Sequence, residues 1–156
     1  MRWLIVLPFD RPGLMGVDFA EELEALGHET RRFAYRRDNP LYKNSPSKAL
    51  YQGWILRALE RVAAAWRPDV VLVIKGGPIT PAAIAKLRAR GTVVVNFFPD
   101  NPLWMIPFEC VEAYDVFFTK ERYALRSLQQ AGLRNLHYLP MYCVPAQHYP
   151  VTLTDD

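Results

Sequence analysis

The chain has 156 residues, of which 51% are hydrophobic and 22% are charged, and its formal net charge is +3. This length suits one domain, and this composition supplies a sizeable core, which excludes a disordered chain. The charge is too small for a nucleic-acid-binding footprint, and no run approaches the ~18 apolar residues of a membrane span. Cys110 and Cys143 lack the spacing of a zinc site or a disulfide framework, so we expect two reduced thiols in a cytoplasmic protein.

The first third of the chain begins an alternation of apolar runs and helical patterns. Trp3 to Leu7 is too short for the apolar core of a signal peptide and predicts a buried strand. A loop with Gly13 and Gly16 follows, and we expect Asp18 to cap a helix that ends at Gly27. The predicted apolar stripe of this helix consists of Phe19, Leu23 and Leu26.

The middle of the chain continues the alternation. Glu29 to Tyr35 predicts a second strand, and Ser45-Pro46 is a suitable start for a long helix. The predicted apolar stripe of that helix consists of Tyr51, Ile55, Leu59, Val62 and Trp66. Val70 to Ile74 is a mostly β-branched run, typical of a parallel strand covered on both faces. Thr80-Pro81 then begins a helix that Gly91 ends.

The remaining predicted elements complete one domain. They are a strand over 92–98, a short helix over 108–113, a strand over 116–119, a helix over 120–130 and a strand over 136–139. Strands that alternate with helices predict a doubly wound, mostly parallel, Rossmann-like open α/β sheet of about six strands with helices on both faces. We expect the domain to span residues 1–150, and residues 151–156 to begin a linker or tail.

Ligands of such sheets bind beyond the carboxyl ends of the strands, so the loops at these ends hold the candidate binding residues. After the first strand, Gly13 and Gly16 either let backbone N–H groups approach an anion or a sugar hydroxyl, or serve only a turn. They form neither a dinucleotide fingerprint nor a P-loop. After the third strand, Lys75, Gly76 and Gly77 permit close approach of a charged ligand, although a tight turn explains them equally well.

The loop after the fourth strand carries the strongest functional signal. Asp100 and Asn101 lie between Pro99 and Pro102, and Trp104 follows. A carboxylate at this position can act as a base on an acceptor hydroxyl or hydrogen-bond a sugar, and an aromatic ring packs against sugar faces. The alternative is that Asp100 caps the following turn.

One basic concentration surrounds the second strand. Its members are Arg31, Arg32, Arg36, Arg37 and Lys43. They predict either a solvated strand end and loop, or a patch for an anionic acceptor or a phosphate.

Several stretches resemble the N-terminal domains of GT-B glycosyltransferases. Residues 23–30 resemble the Leu-x-x-x-Gly-His-Glu-Val turn of those domains, and residues 68–76 resemble their Pro-Asp third strand. More specifically, residues 93–102, 114–120 and 132–140 resemble the CgeB-type (spore-maturation-protein-like) glycosyltransferases. In that family the fourth strand runs into an acidic turn, here Pro99-Asp100-Asn101-Pro102. The resemblance covers residues 1–150 in order.

This resemblance implies the acceptor-binding half of a nucleotide-sugar-dependent glycosyltransferase, with Asp100 as the acceptor-activating base or a sugar contact. The cleft-lining residues that it implies are Gly13, Gly16, Lys75, Gly76, Gly77, Asn101 and Trp104. A GT-B site generally needs no metal, because helix dipoles and basic side chains offset the charge of the leaving diphosphate. In the family a C-terminal domain holds the donor, so we expect this chain alone to bind an acceptor, to need no cofactor and to transfer no sugar.

A second hypothesis is a non-catalytic module of the same fold that partners a separately encoded donor domain or forms a homodimer through its uncovered cleft face. Two other classes fit poorly. A phosphoacceptor receiver needs an aspartate at the end of the third strand, where this chain has Lys75. A nicotinamide-binding domain needs Gly-x-Gly-x-x-Gly after its first strand, and that pattern is missing.

Overall fold

The computed structural model describes residues 1–36, 47–144, 148 and 150. The strands within these ranges are β1 (Arg2–Leu7), β2 (Glu29–Ala34), β3 (Val70–Ile74), β4 (Val93–Phe98), β5 (Val116–Thr119) and β6 (Leu136–Tyr138). The helices are α1 (Met15–Ala25), α2 (Lys48–Trp66), α3 (Pro81–Arg88), α4 (Phe108–Ala113) and α5 (Arg122–Gln130), with a 3₁₀ turn at Pro102–Trp104. No helix in the described part of the chain is long and apolar enough to cross a membrane.

The strands form one sheet in the order β2-β1-β3-β4-β5-β6, and every neighbouring pair is parallel. The predicted doubly wound, Rossmann-like fold is confirmed. The chain moves to one side of β1 to form β2 and to the other side to form the remaining strands. This reversal creates a topological switch point between β1 and β3, where the loops that follow the two strands diverge and leave a crevice.

Alternation along the buried strands divides the core between the two faces of the sheet. One face includes Leu4 and Val6 and packs against α2, α3, α4 and α5. The other face includes Ile5 and Leu7 and packs against α1. Successive residues of β3 also point to opposite faces, and all five are buried, as expected for a strand covered on both faces.

The start of α1 corrects the expectation for Asp18. The helix begins at Met15, with Leu14 at the N-cap position, so Gly16 belongs to the first turn and Asp18 lies inside the helix. Asp18 is buried, and its carboxylate accepts a hydrogen bond of 2.5 Å from Oη of Tyr142. A buried carboxylate needs such a donor, and here a distant part of the chain supplies it.

Other helix ends also differ from the expected ones. Leu26 follows α1 instead of extending its apolar stripe and is 74% exposed, because the chain turns at Gly27 with φ of 82°. Helix α2 begins at Lys48, and the side chain of Ser47 accepts a hydrogen bond from the amide of Leu50. The expected start at Ser45-Pro46 lies outside the described residues. Helix α5 begins at Arg122, two residues later than predicted.

Candidate functional site

A cleft of about 200 Å³ opens at the switch point, beyond the carboxyl ends of β1, β3 and β4. Its lining residues are Leu7, Pro8, Phe9, Leu14, Met15, Gly16, Arg36, Ile74, Lys75 and Pro99. The first turn of α1 forms one wall. The amides of Val17 and Asp18 donate to the carbonyl of Leu14, so this wall offers a polar ligand the amides of Met15 and Gly16 and the positive end of the helix dipole. Arg36 and Lys75 add two cationic side chains to a wall that is otherwise largely apolar.

Lys75, which lines this cleft, forms an ion pair with Asp100, which directly follows the lining residue Pro99. Nζ of Lys75 is 2.6 Å from Oδ2 of Asp100, and the two side chains are 35% and 39% exposed. Asp100 does not cap the following turn, because that position belongs to Asn101, whose side chain accepts a hydrogen bond from the amide of Leu103 at 3.0 Å. The carboxylate of Asp100 is therefore not used by this turn. Its Oδ2 atom is buried against Nζ of Lys75, a residue that lines the cleft, although Asp100 itself does not.

The backbone of Lys75 adopts a conformation that a residue with a side chain rarely takes. Its φ is 63°, and Gly76 follows with φ of 86°. A left-handed conformation costs a non-glycine residue about 1–2 kcal/mol, so it persists only where the surroundings enforce it. The amide of Lys75 donates to the carbonyl of Phe97 at 3.0 Å, which extends the β3–β4 pairing and fixes the start of the turn.

Two buried polar side chains fix the rest of this turn. Oη of Tyr35 donates to the carbonyl of Ile74 at 3.1 Å and accepts from the amide of Gly76 at 3.2 Å. Nδ2 of Asn96 donates to the carbonyl of Lys75 at 3.2 Å. Tyr35 and Asn96 are fully buried, so this scaffold is shielded from water and sets where the Lys75 side chain leaves the turn.

Gly76 is required at its position by space as well as by φ. A Cβ atom there would lie 2.7 Å from Cγ1 of Val73, 2.9 Å from Oη of Tyr114 and 3.3 Å from Nδ2 of Asn96. Gly76 therefore packs against the buried side chains under the turn and does not itself line the cleft. Gly77, which is exposed, has a side-chain nitrogen of Arg36 as its nearest neighbour, 3.8 Å from where a Cβ would stand.

The remaining predicted binding residues separate into two groups. Gly16 lies in the cleft wall, where a Cβ would stand 2.8 Å from Cβ of Leu7, so the glycine lets α1 approach β1 closely. Gly13 takes φ of 72° in open space and serves a turn. Trp104 is 82% exposed and does not line the cleft. The structure thus brings together Gly16, Lys75 and Asp100 but leaves Gly13 and Trp104 outside.

Burial of Tyr114 beside this scaffold predicts an alkaline dependence of stability. Burial raises the pKa of the Tyr114 phenol above its ordinary value, and a hydrogen bond from Asn96 lowers it by a smaller amount. The unfolded chain therefore loses this proton first. The contribution of the protonated Tyr114 phenol to the free energy of unfolding is complete below about pH 10. As the pH rises further, this contribution falls by up to about 1.4 kcal/mol per pH unit.

We expect Tyr114→Phe to reduce this alkaline loss of stability, because the variant has no phenol to ionise at this position. Urea unfolding between about pH 8 and pH 11 measures the slope of the free energy of unfolding against pH. Tyr123→Phe, at a position that is 71% exposed on α5, is the matched control. Equal slopes for the two variants would contradict the prediction.

Sequence reasoning missed two contributors to this site. Arg36 entered only as part of a basic run, yet it lines the cleft, and its Nε atom is buried without a hydrogen-bond partner in the part of the chain that the structure describes. Tyr35 is an aromatic residue at the end of a strand, and no feature of the sequence distinguishes it from other aromatic residues in such positions. Asn96, a polar residue inside an apolar strand, is the one visible signal of the buried scaffold. Over the described ranges no cluster of three or more metal-ligating side chains occurs.

The chain is similar to known proteins in its fold and not in its sequence. No family model matches the chain, and no curated protein matches it. Among solved structures, it is similar to UDP-GlcNAc 2-epimerase from Methanocaldococcus jannaschii, with a TM-score of 0.64 and 17% identity over 88% of this chain and 45% of that one. A protein from Listeria monocytogenes, assigned as a UDP-N-acetylglucosamine 2-epimerase, gives a TM-score of 0.63 and 16% identity over 86% and 43% of the two chains.

The chain thus spans less than half the length of these similar structures. At such low identity, the similarity establishes the architecture and not the chemistry. The architecture is a Rossmann-like α/β domain of the GT-B type.

Proposed function

We propose that this chain is the acceptor-binding half of a nucleotide-sugar-dependent glycosyltransferase related to the CgeB type, and that a second α/β domain holds the donor. The observation that carries this proposal is the Lys75–Asp100 ion pair of 2.6 Å at the switch-point cleft. It presents a carboxylate where a Rossmann-like sheet binds its ligands. The names of the two similar solved structures, both UDP-sugar epimerases, support a nucleotide-sugar substrate for the completed enzyme.

The proposed reaction assigns one task to each of these side chains. Asp100 accepts the proton of an acceptor hydroxyl as that oxygen forms its bond to the donor sugar, while the bond from the sugar to the nucleotide diphosphate breaks. Lys75 holds Oδ2 of Asp100, which orients the carboxylate and leaves Oδ1 to meet the hydroxyl. The start of α1 and Arg36 supply hydrogen-bond donors to the acceptor across the cleft.

A ligand titration of the isolated chain tests this proposal. We expect N-acetylglucosamine and simple disaccharides to shift the amide NMR signals of Gly16, Lys75 and Gly76 at millimolar concentrations (Kd of ~1 mM or weaker). UDP-GlcNAc should shift these signals no more strongly than its sugar alone, because the nucleotide would bind the other domain. Asp100→Asn should weaken saccharide binding, whereas Glu112→Gln, on an exposed face of α4, should not.

Two results would contradict the acceptor-binding role. One is a set of saccharide-induced shifts confined to residues outside the cleft. The other is tight binding of UDP itself in the cleft, which would place the donor on this half of the enzyme.

A second candidate function, an interaction module without an acceptor site, has one observation in its favour. The face of the sheet that α1 covers also carries an apolar groove of about 380 Å³. Its lining residues are Trp3, Phe19, Leu23, Leu72, Val95, Phe97, Val116, Phe118 and Leu139. Under this function, a partner α/β domain packs on the groove, and the saccharide titration leaves the cleft signals unchanged.

A further inference from the structure

A second and larger cavity, of about 480 Å³, lies between the edge strand β2 and helix α2. Its lining residues are Phe9, Asp10, Arg11, Arg31, Arg32, Phe33, Ala34, Arg36, Tyr51, Trp54, Ile55, Ala58 and Val62. This volume falls in the range of small-molecule sites, roughly 300–1,000 Å³. Phe9 and Arg36 line both this cavity and the switch-point cleft, so the two spaces adjoin at these side chains.

Among the described residues, the charges on the wall of this cavity are strongly unbalanced. Four of these residues are arginines and one is a carboxylate, Asp10, whose Oδ1 pairs with Nε of Arg32 at 3.4 Å. Nε of Arg36 is buried and makes no hydrogen bond within the described ranges. A buried guanidinium donor that lacks an acceptor costs free energy, which a bound anion would recover. Arginine forks match the oxygens of a phosphate, so the wall favours that class of anion.

The opposite wall of the cavity is aromatic. Trp54 on α2 is 55% exposed, and its ring centroid lies 6.0 Å from that of Tyr51. The phenol of Tyr51 donates to the carbonyl of Tyr35 at 2.8 Å, which holds this part of the wall to the end of β2. An exposed indole beside a fixed phenol offers a flat apolar surface for a sugar or base ring, at little cost in side-chain entropy.

From these two walls we propose that the cavity binds a phosphate monoester carried on a sugar or nucleoside ring. The phosphate lies against Arg31, Arg32 and Arg36, and the ring lies on Trp54. This site stands independently of the proposed glycosyl transfer, because among the described lining residues it shares only Phe9 and Arg36 with the cleft, and neither Arg31, Arg32 nor Trp54 lines that cleft.

Calorimetric titration of the chain with four probes tests the proposed ligand class. The probes are glucose 6-phosphate, AMP, inorganic phosphate and glucose. We expect one of the two ring-bearing phosphates to bind at least about tenfold more tightly than inorganic phosphate, and glucose to bind least. The tighter of the two identifies the ring as a sugar or a nucleoside. Equal affinities for all three phosphates, or no saturable binding below about 10 mM, would overturn the proposal.

Four variants locate the binding. Arg31→Gln and Arg36→Gln should each weaken the ring-bearing phosphate about fivefold or more, since each removes a charged donor. Trp54→Ala should weaken the ring-bearing phosphate without affecting inorganic phosphate. Arg126→Gln, an equal change of charge on an exposed face of α5, should have no effect.

Equal weakening by Arg126→Gln would show general charge attraction and overturn the proposed site. If Arg36→Gln fails to fold, Arg31→Gln alone tests the proposed site. Arg31 is exposed on the edge strand, so its replacement should leave the fold intact. Loss of phosphate binding in Arg31→Gln with saccharide shifts retained in the cleft would separate this site from the proposed acceptor site.

Discussion

Replacing Asp100 by Asn is expected to lower the turnover of the completed two-domain enzyme about a hundredfold or more. The amide keeps the shape of the side chain but cannot accept the proton of the acceptor hydroxyl. The Lys75–Asp100 pair is more than one-third exposed on average, so it contributes at most about 1 kcal/mol to folding. The loss of turnover therefore cannot be attributed to an unfolded domain.

Steady-state kinetics with the nucleotide sugar that the completed enzyme uses would measure this effect. A general base acts in the transition state, so we expect kcat to fall much more than KM rises. Glu112→Gln removes an exposed carboxylate from α4 and should leave both constants unchanged. Near-normal turnover of Asp100→Asn would exclude a catalytic role and leave Asp100 as a partner that orients Lys75.

Local sequence patterns were sufficient to predict the sheet. The β-branched run over Val70–Ile74 became a strand with the predicted bounds, and Gly27 ends the turn after α1 with a positive φ. Strands buried on both faces are continuous apolar runs, and helix ends depend on residues within one turn, so both can be recognised within a short window. The strand-end loops, which the parallel topology brings to one edge, could therefore be named in advance.

Interactions between distant parts of the chain were not predictable in the same way. Asp18 resembles a helix cap in sequence, but its carboxylate bonds to Tyr142, 124 residues away. The contact of Lys75 with Asp100 depends on how the loops after β3 and β4 turn, and neither loop determines that alone. Tyr35 reaches the β3 turn from the edge of the sheet through a fully buried phenol. These contacts depend on packing, which no short window of sequence contains.

The strain at Lys75 links the buried scaffold to the proposed chemistry. The side chain can reach Asp100 from a turn in which Lys75 and Gly76 both take positive φ values. Tyr35 and Asn96 stabilise this turn through three hydrogen bonds to its backbone. A rigid turn holds the cation in one place, and such preorganisation costs no rearrangement when a ligand binds. The stability of the domain and the geometry of its cleft thus depend on the same buried contacts.

Gly76→Ala is expected to reduce the free energy of unfolding by about 2–5 kcal/mol. A positive φ costs an alanine about 1–2 kcal/mol, and overpacking of a buried position adds typically 1–3 kcal/mol. The overpacking arises because the new methyl group would lie 2.7 Å from Cγ1 of Val73 and 2.9 Å from Oη of Tyr114. Relief of these contacts would displace the turn, so the variant should also lose saccharide binding in the cleft.

Gly91→Ala separates the two causes, because Gly91 has a similar φ of 80° but no atom within 4 Å of an added Cβ. This control should lose only the conformational part, about 1–2 kcal/mol, and should retain saccharide binding. Urea unfolding with linear extrapolation gives both values on the same scale. Equal losses of unfolding free energy in the two variants would mean that the turn at Gly76 moves to make room for the methyl group at no energetic cost. The scaffold of Tyr35, Asn96 and Tyr114 would then be too soft to hold Lys75 in place, and the proposed orientation of Asp100 by that lysine would fail with it.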